Sequence, residues 1–190
     1  VGSGKTVLLH KLMHEWEQSN KRKLIQVYSI ARRKYTSSQL ASAILRDLTG
    51  KNVYASMEDK GRLIADVFRA AAKRNERPIL IIDEAHELPT EVLKDIKKIY
   101  EVSGKFSVNL AVLLVGQSVL ERRLRDEVTL KEVLDRIEIV RLDGVGQEGR
   151  DYLAHKLRRV GGDIDRIFTA DALGLLFQAA QTPLAINNLA

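Results

Sequence analysis

Residues Pro78–Glu84 read PILIIDE: a proline, four consecutive aliphatic side chains and two acids. An apolar run without polar alternation suits a strand covered on both faces, the habit of strands in parallel sheets. Sheets of that kind bind ligands at the carboxyl ends of their strands. Asp83 and Glu84 therefore stand where a site would form, and a merely solvated strand end is the plainer alternative.

Working outward, the pattern alternates. "LIQVYSI" (24–30) reads as a strand, "VNLAVLLVG" (108–116) as a second buried strand, and "RIEIVRL" (136–142) as a further short one. Between them, helical spacing of apolar residues predicts helices over 6–19, from a Thr36 or Ser37 cap to Gly50, and over 58–74, 90–101 and roughly 118–134. Beyond 142 only helices are expected, over 146–160 and 169–180, divided by "GGD". Strands alternating with helices, then helices alone, suggest an α/β domain over 1–144 and a small helical domain over 145–190, with the boundary near "LDGVGQ".

Bulk properties set the frame. The 190 residues, 21.4 kDa, allow one sizeable core or a core with a small appendage. No apolar run approaches the roughly 18 residues of a membrane span. The absence of cysteine excludes disulfides and cysteine–metal clusters and fits a cytoplasmic setting. A net charge of +6 permits a polyanionic partner without demanding one.

The chain opens with VGSGKT, Val1–Thr6, the end of the pattern G-x-x-x-x-G-K-[ST]. Its first glycine and the strand that feeds such a loop would precede Val1, so the chain is expected to be a window on a longer polypeptide, unstable without that strand. Gly2 and Gly4 let backbone approach phosphate, Lys5 can reach the β- and γ-phosphates, and the Thr6 hydroxyl can ligate Mg²⁺. With Ser3, Val7 and Asp83 these residues form the expected ATP site, and Thr6 and Asp83 the expected Mg²⁺ ligands. Glu84 would polarise the attacking water.

Two further residues join them. Gln117, delivered by the 108–116 strand, can orient water and sense the third phosphate; alternatively it caps the next helix. Arg136 can stabilise the phosphoryl-transfer transition state, on a neighbouring subunit if the protein assembles; alternatively it pairs with Asp135 or Glu138. Arg122, Arg123 and Arg125 are fallback fingers and otherwise read as a solvated face. "DEAH" at 83–86 invites comparison with DEAH-box helicases, which need a second domain of the same fold; of the residues after Asp83 about half read as a helical lid, and the neighbouring strand ends in "GQS".

The series "ILIIDEAHELPTEVLKDIKKIYE", "LAVLLVGQSVLERRLR", "DRIEIVRL", "YLAHKLRRVGG", "IFTADAL" and "TPLAINNLA" resembles the ExeA-like AAA+ ATPases from Val1 to Ala190. That group includes transposition regulators of the MuB, TnsC and TniB type and the secretion ATPase ExeA. The resemblance implies a P-loop NTPase (AAA+) α/β fold, a parallel sheet flanked by helices, with a small C-terminal helical lid. It matches Gly2, Gly4, Lys5 and Thr6 to Walker A, Asp83 and Glu84 to Walker B, Gln117 to sensor 1 and Arg136 to the arginine-finger region. Where the group commonly carries a sensor-2 arginine after the lid proline, this chain has Leu184; Asn187 and Asn188 are weak substitutes.

The closing block is nearer the transposition branch. The resemblance then implies an ATP hydrolase that forms homo-oligomers or filaments on duplex DNA, with little sequence preference, and engages a transposase. Arg32, Arg33 and Lys34 are the candidate DNA contacts, ahead of Lys21, Arg22 and Lys23 or Lys94, Lys97 and Lys98. A secretion ATPase and a weakly hydrolysing nucleotide switch are the alternatives.

Overall fold

The structure is a computed structural model that describes residues 2–18, 22–26, 34–105 and 110–190. Two compact units divide it, one made of 11–139 and the other of 140–190 with 1–10.

The larger unit holds a three-stranded parallel sheet flanked by helices, in the order β1 (Arg22–Gln26), β2 (Arg77–Ile82), β3 (Ala111–Leu114). Leu24 lies opposite Ile79, and Ile82 opposite Leu114. Parallel neighbours need crossover connections. α2 (Ser37–Thr49) and α3 (Met57–Lys73) supply the first, and α4 (Thr90–Gly104) the second.

Local chemistry sets the helix ends. Thr36 and Gln39 form a reciprocal capping box at α2, each side chain taking the other's backbone N–H, and Gly50 closes that helix at φ 74°. Ser56 caps α3 by accepting the Asp59 N–H at 3.1 Å.

β2 is buried from Pro78 to Ile82, as its unbroken apolar run requires. Leu40, Ile44 and Leu45 of α2, Ile64 and Phe68 of α3, and Val92, Leu93 and Ile96 of α4 close over the sheet. Leu120 and Leu124 of α5 (Ser118–Asp126) and Val133 of α6 (Lys131–Leu134) complete the core. Each such side chain removed from water contributes about 1.5–3 kcal/mol.

Two expectations for the sheet need correction. β3 is not a buried strand: Ala111 is exposed and Val112–Leu114 are half-buried, because β3 borders only β2 among the described strands. Residues 137–142 form no strand. Ile137 and Ile139 are half-buried while Glu138 and Val140 are exposed, a period of two, yet no described strand runs alongside to complete a ladder. Residues 27–33 and 106–109, covering the outer parts of two sequence-predicted strands, lie outside the described residues.

The smaller unit gathers α7 (Gly149–Arg158), α8 (Ile164–Ile167), α9 (Ala170–Ala179) and α10 (Pro183–Leu189) around Leu153, Ile164, Leu173, Leu176, Ala180 and Ile186. Sequence spacing finds α7 and α9 but not the short α8 and α10. Thr182 caps α10 by accepting the Ala185 N–H at 3.2 Å, with Pro183 at the first helical position. α1 (Lys5–Glu17) starts in this unit; of its expected apolar face only Leu9 is buried, and Leu8 is 42% exposed.

Candidate functional site

Gly2 and Gly4 hold φ of +80° and +86°, conformations that L side chains rarely adopt, so the loop before α1 needs glycine at both places. α1 follows at once: the Leu8 N–H donates to the Gly4 carbonyl at 2.9 Å. A helix start presents N–H groups without intrahelical acceptors and carries partial positive charge. Lys5 Nζ donates to Ser3 Oγ at 3.1 Å, which keeps the ammonium at the loop. A Cβ at Gly4 would meet nothing nearer than Pro183 Cγ at 3.9 Å, so the backbone there is open to approach. Ammonium, hydroxyls and helix-start amides form a donor set suited to phosphate oxygens.

The second cluster belongs to the larger unit. β2 ends at Ile82, but its ladder with the neighbouring segment continues. The Val115 N–H donates to the Ile82 carbonyl at 2.9 Å and the Ala85 N–H to the Val115 carbonyl at 2.8 Å. Those bonds bring Val115 beside 82–85. Asp83 Oδ1 accepts the Glu84 N–H at 2.8 Å. Glu84 itself sits at φ 54°, ψ 36°, a left-handed conformation costing a residue with a Cβ on the order of 1–2 kcal/mol. His86 Nδ1 lies 3.4 Å from Glu84 Oε2, within ion-pair range but without hydrogen-bond geometry to any described group.

Gln117 occupies the N-cap position of α5, half-buried, yet its side chain makes no capping bond. Its carbonyl instead accepts the Leu120 N–H at 2.8 Å, leaving the carboxamide for another partner. Gly116 has little room: a Cβ there would lie 3.2 Å from Leu120 Cδ2 and 3.4 Å from the His86 nitrogen.

This turn is clamped from behind by a residue that sequence reasoning assigned to a solvated face. Arg123 Nη1 donates to the carbonyls of His86 at 2.7 Å and Leu88 at 3.0 Å, and Nη2 donates to Thr90 Oγ1 at 3.2 Å. Glu127 accepts from Arg123 Nε at 3.3 Å and from the Thr90 hydroxyl at 2.8 Å. The Thr90 bond above all holds the Glu127 carboxyl below its usual range, with Arg123 adding to it and burial opposing. Only the spacing of Arg123 and Glu127, one helical turn apart, hinted at this in the sequence.

A loop of this kind, and a buried strand ending in two acids, agree with the comparisons to known proteins. The family model described as "AAA domain" matches residues 1–124. The chain belongs to the AAA domain family. It is also similar to the crystal structure of Cdc6p from Pyrobaculum aerophilum, with a TM-score of 0.60 at 19% sequence identity. That match covers 98% of this chain and 48% of Cdc6p, so the chain spans about half the length of that protein. At this identity the likeness shows the fold alone; with the AAA family match, that fold is the P-loop AAA+ one. No curated protein matches the sequence.

The other candidate residues of this AAA domain are held differently. Arg136 pairs not with Asp135 or Glu138 but with Glu101 at 3.1 Å, and it donates to the Glu132 carbonyl at 2.9 Å. Its side chain is 44% exposed, so the pair is one that water and salt screen. Lys34 is exposed, while Arg32 and Arg33 lie outside the described residues. The competing cluster on α4 is occupied: Lys94 pairs with Glu91, Lys98 with Asp95, and Lys97 with Glu101 and Glu132.

In the helical unit Asn187 bonds the Tyr152 hydroxyl, its Nδ2 donating at 3.0 Å. A cavity of about 370 Å³ opens elsewhere, lined by Ser42, Asn52, Val53, Tyr54, Ala55 and Lys60, and holds none of the candidate residues. Among the described residues no helix is long and apolar enough to cross a membrane.

Proposed function

We propose that this AAA domain is the motor of an ATP-dependent DNA-binding regulator of transposition, which assembles on duplex DNA with ATP and engages a transposase. The observation that carries the ATPase part of the reading is the acid turn: two carboxylates at the end of a buried strand, held by a continued ladder to the neighbouring segment that leads to the Gln117 carboxamide. In this reading that turn and the loop at Gly2–Val7 serve one nucleotide.

Each residue then has a task. Lys5 and the amides of Gly4–Val7 bind phosphate oxygens. Thr6 and Asp83 hold Mg²⁺, an ion that keeps few protein ligands beside water and phosphate. No group of three or more acidic, histidine or cysteine side chains is placed to hold a metal ion by itself among the described residues, and this mode of binding needs none. When bound, Mg²⁺ neutralises charge on the phosphates. Glu84 takes the proton of the attacking water, and Gln117 orients that water. Arg136 supplies the finger, released from its screened pair with Glu101 when a second subunit's nucleotide offers a stronger partner.

The DNA and transposase parts are supported by the blocks "LAVLLVGQSVLERRLR" and "TPLAINNLA", and by the exposed Lys34 beside Arg32 and Arg33 in the sequence. The reading predicts retention on duplex DNA that requires ATP and weakens steeply as salt rises from 50 to 200 mM. Equal retention without nucleotide removes it. Leu184, where related chains carry a sensor arginine, favours a second reading in which the domain hydrolyses slowly and acts as a nucleotide-gated switch. Single-turnover hydrolysis measured beside nucleotide affinity separates the two.

A further inference from the structure

The first turn of α10 lies against the loop that precedes α1. The Leu184 N–H donates to the Gly2 carbonyl at 3.3 Å. A Cβ built on Gly2 would stand 2.5 Å from Leu184 Cβ and 2.9 Å from its Cδ2, closer than real carbons come. Glycine at position 2 is therefore required twice over, by its φ of +80° and by the leucine resting on it. Leu184 is meanwhile no part of the helical unit's core, which is built on Leu153, Ile164, Leu173, Leu176, Ala180 and Ile186, and it remains 48% exposed. Thr182 and Pro183 fix the turn that carries it.

Resting on the nucleotide reading above, we propose that Leu184 is a positioning residue, an apolar clasp that sets the backbone of Gly2–Gly4 and so aims the amide cradle. The clasp works through dispersion and one main-chain hydrogen bond. An arginine at this place would be drawn to phosphate, more strongly to three phosphates than to two; leucine adds no such attraction. The helical unit's seat on the loop is then blind to the third phosphate. It contributes equally to holding ATP and ADP.

The test compares the whole chain with Leu184→Ala and Leu184→Met. Hydrogen exchange is followed at the amides of residues 2–6 without nucleotide, and release of fluorescent ATP and ADP analogues is timed with Mg²⁺. The clasp predicts faster loop exchange in Leu184→Ala, release of both nucleotides about tenfold faster by the same factor, an unchanged thermal melt, and recovery of all these in Leu184→Met. Loop exchange equal to that of the parent overturns the clasp, even where nucleotide binds well. A release factor that differs between ATP and ADP overturns its indifference to the third phosphate. If no chain binds nucleotide but exchange still accelerates in Leu184→Ala, the clasp holds and the nucleotide reading falls.

Discussion

The acid turn at 83–90 and the glycine loop at 2–4 both hold backbone in left-handed conformations, by opposite means. At the turn the strained residue is a glutamate, kept at φ 54° by ladder bonds through Val115 and by the Arg123 clamp. At the loop the residues are glycines at φ +80° and +86°, for which that conformation costs little, and a single leucine rests on the first of them. A side chain with the task proposed for Glu84 cannot be exchanged for glycine, so its strain must be met by surrounding bonds. A backbone that only offers amides can be glycine and needs far less support.

This contrast can be broken in order of expected effect. Glu84→Gln should lower ATP turnover by about 10²–10⁴, the usual worth of a positioned base, while ATP-loaded oligomers accumulate. Unchanged turnover, read by phosphate release, would reduce Glu84 to a structural acid.

Arg123→Met, which removes charged bonds to two carbonyls and a hydroxyl, should destabilise the larger unit by about 3 kcal/mol. Its denaturant midpoint reads this, and a loss under 1 kcal/mol would mean that the ladder alone holds the turn. Glu84→Gly, by contrast, should stabilise the fold by about 1 kcal/mol as strain is relieved, at the cost of activity. A destabilised Glu84→Gly would show that the glutamate is not strained.

The smallest effect is one of pH. Glu127 has a depressed folded pKa, so its contribution is present above about pH 4.5, its usual value, and is lost as pH falls through the lower folded value. The thermal midpoint should therefore decline less steeply with acid in Glu127→Gln than in the parent chain.

Much of this was legible in the sequence. PILIIDE announced a buried strand ending in two acids because its pattern is local, and the cap at Thr36 and the stop at Gly50 are written in the residues that form them. Strand pairing is not local. "RIEIVRL" has a strand's alternation and no described neighbour, and β3 is apolar yet half exposed for want of a second partner. The role of Arg123 was hidden for the same reason, since two of its acceptors are the main-chain carbonyls of residues 86 and 88, which carry no sequence signal. Leu184 could be seen to depart from an arginine, but not to rest on Gly2.

In the proposed function the loop and the acid turn serve one magnesium nucleotide. A double-mutant cycle on Mg²⁺-dependent ATP affinity, using Thr6→Ala and Asp83→Asn, decides whether they do. A shared ion predicts that either substitution removes most of the Mg²⁺ enhancement and that the second adds little. Losses that simply add, with Mg²⁺ still improving affinity in each single variant, would contradict it.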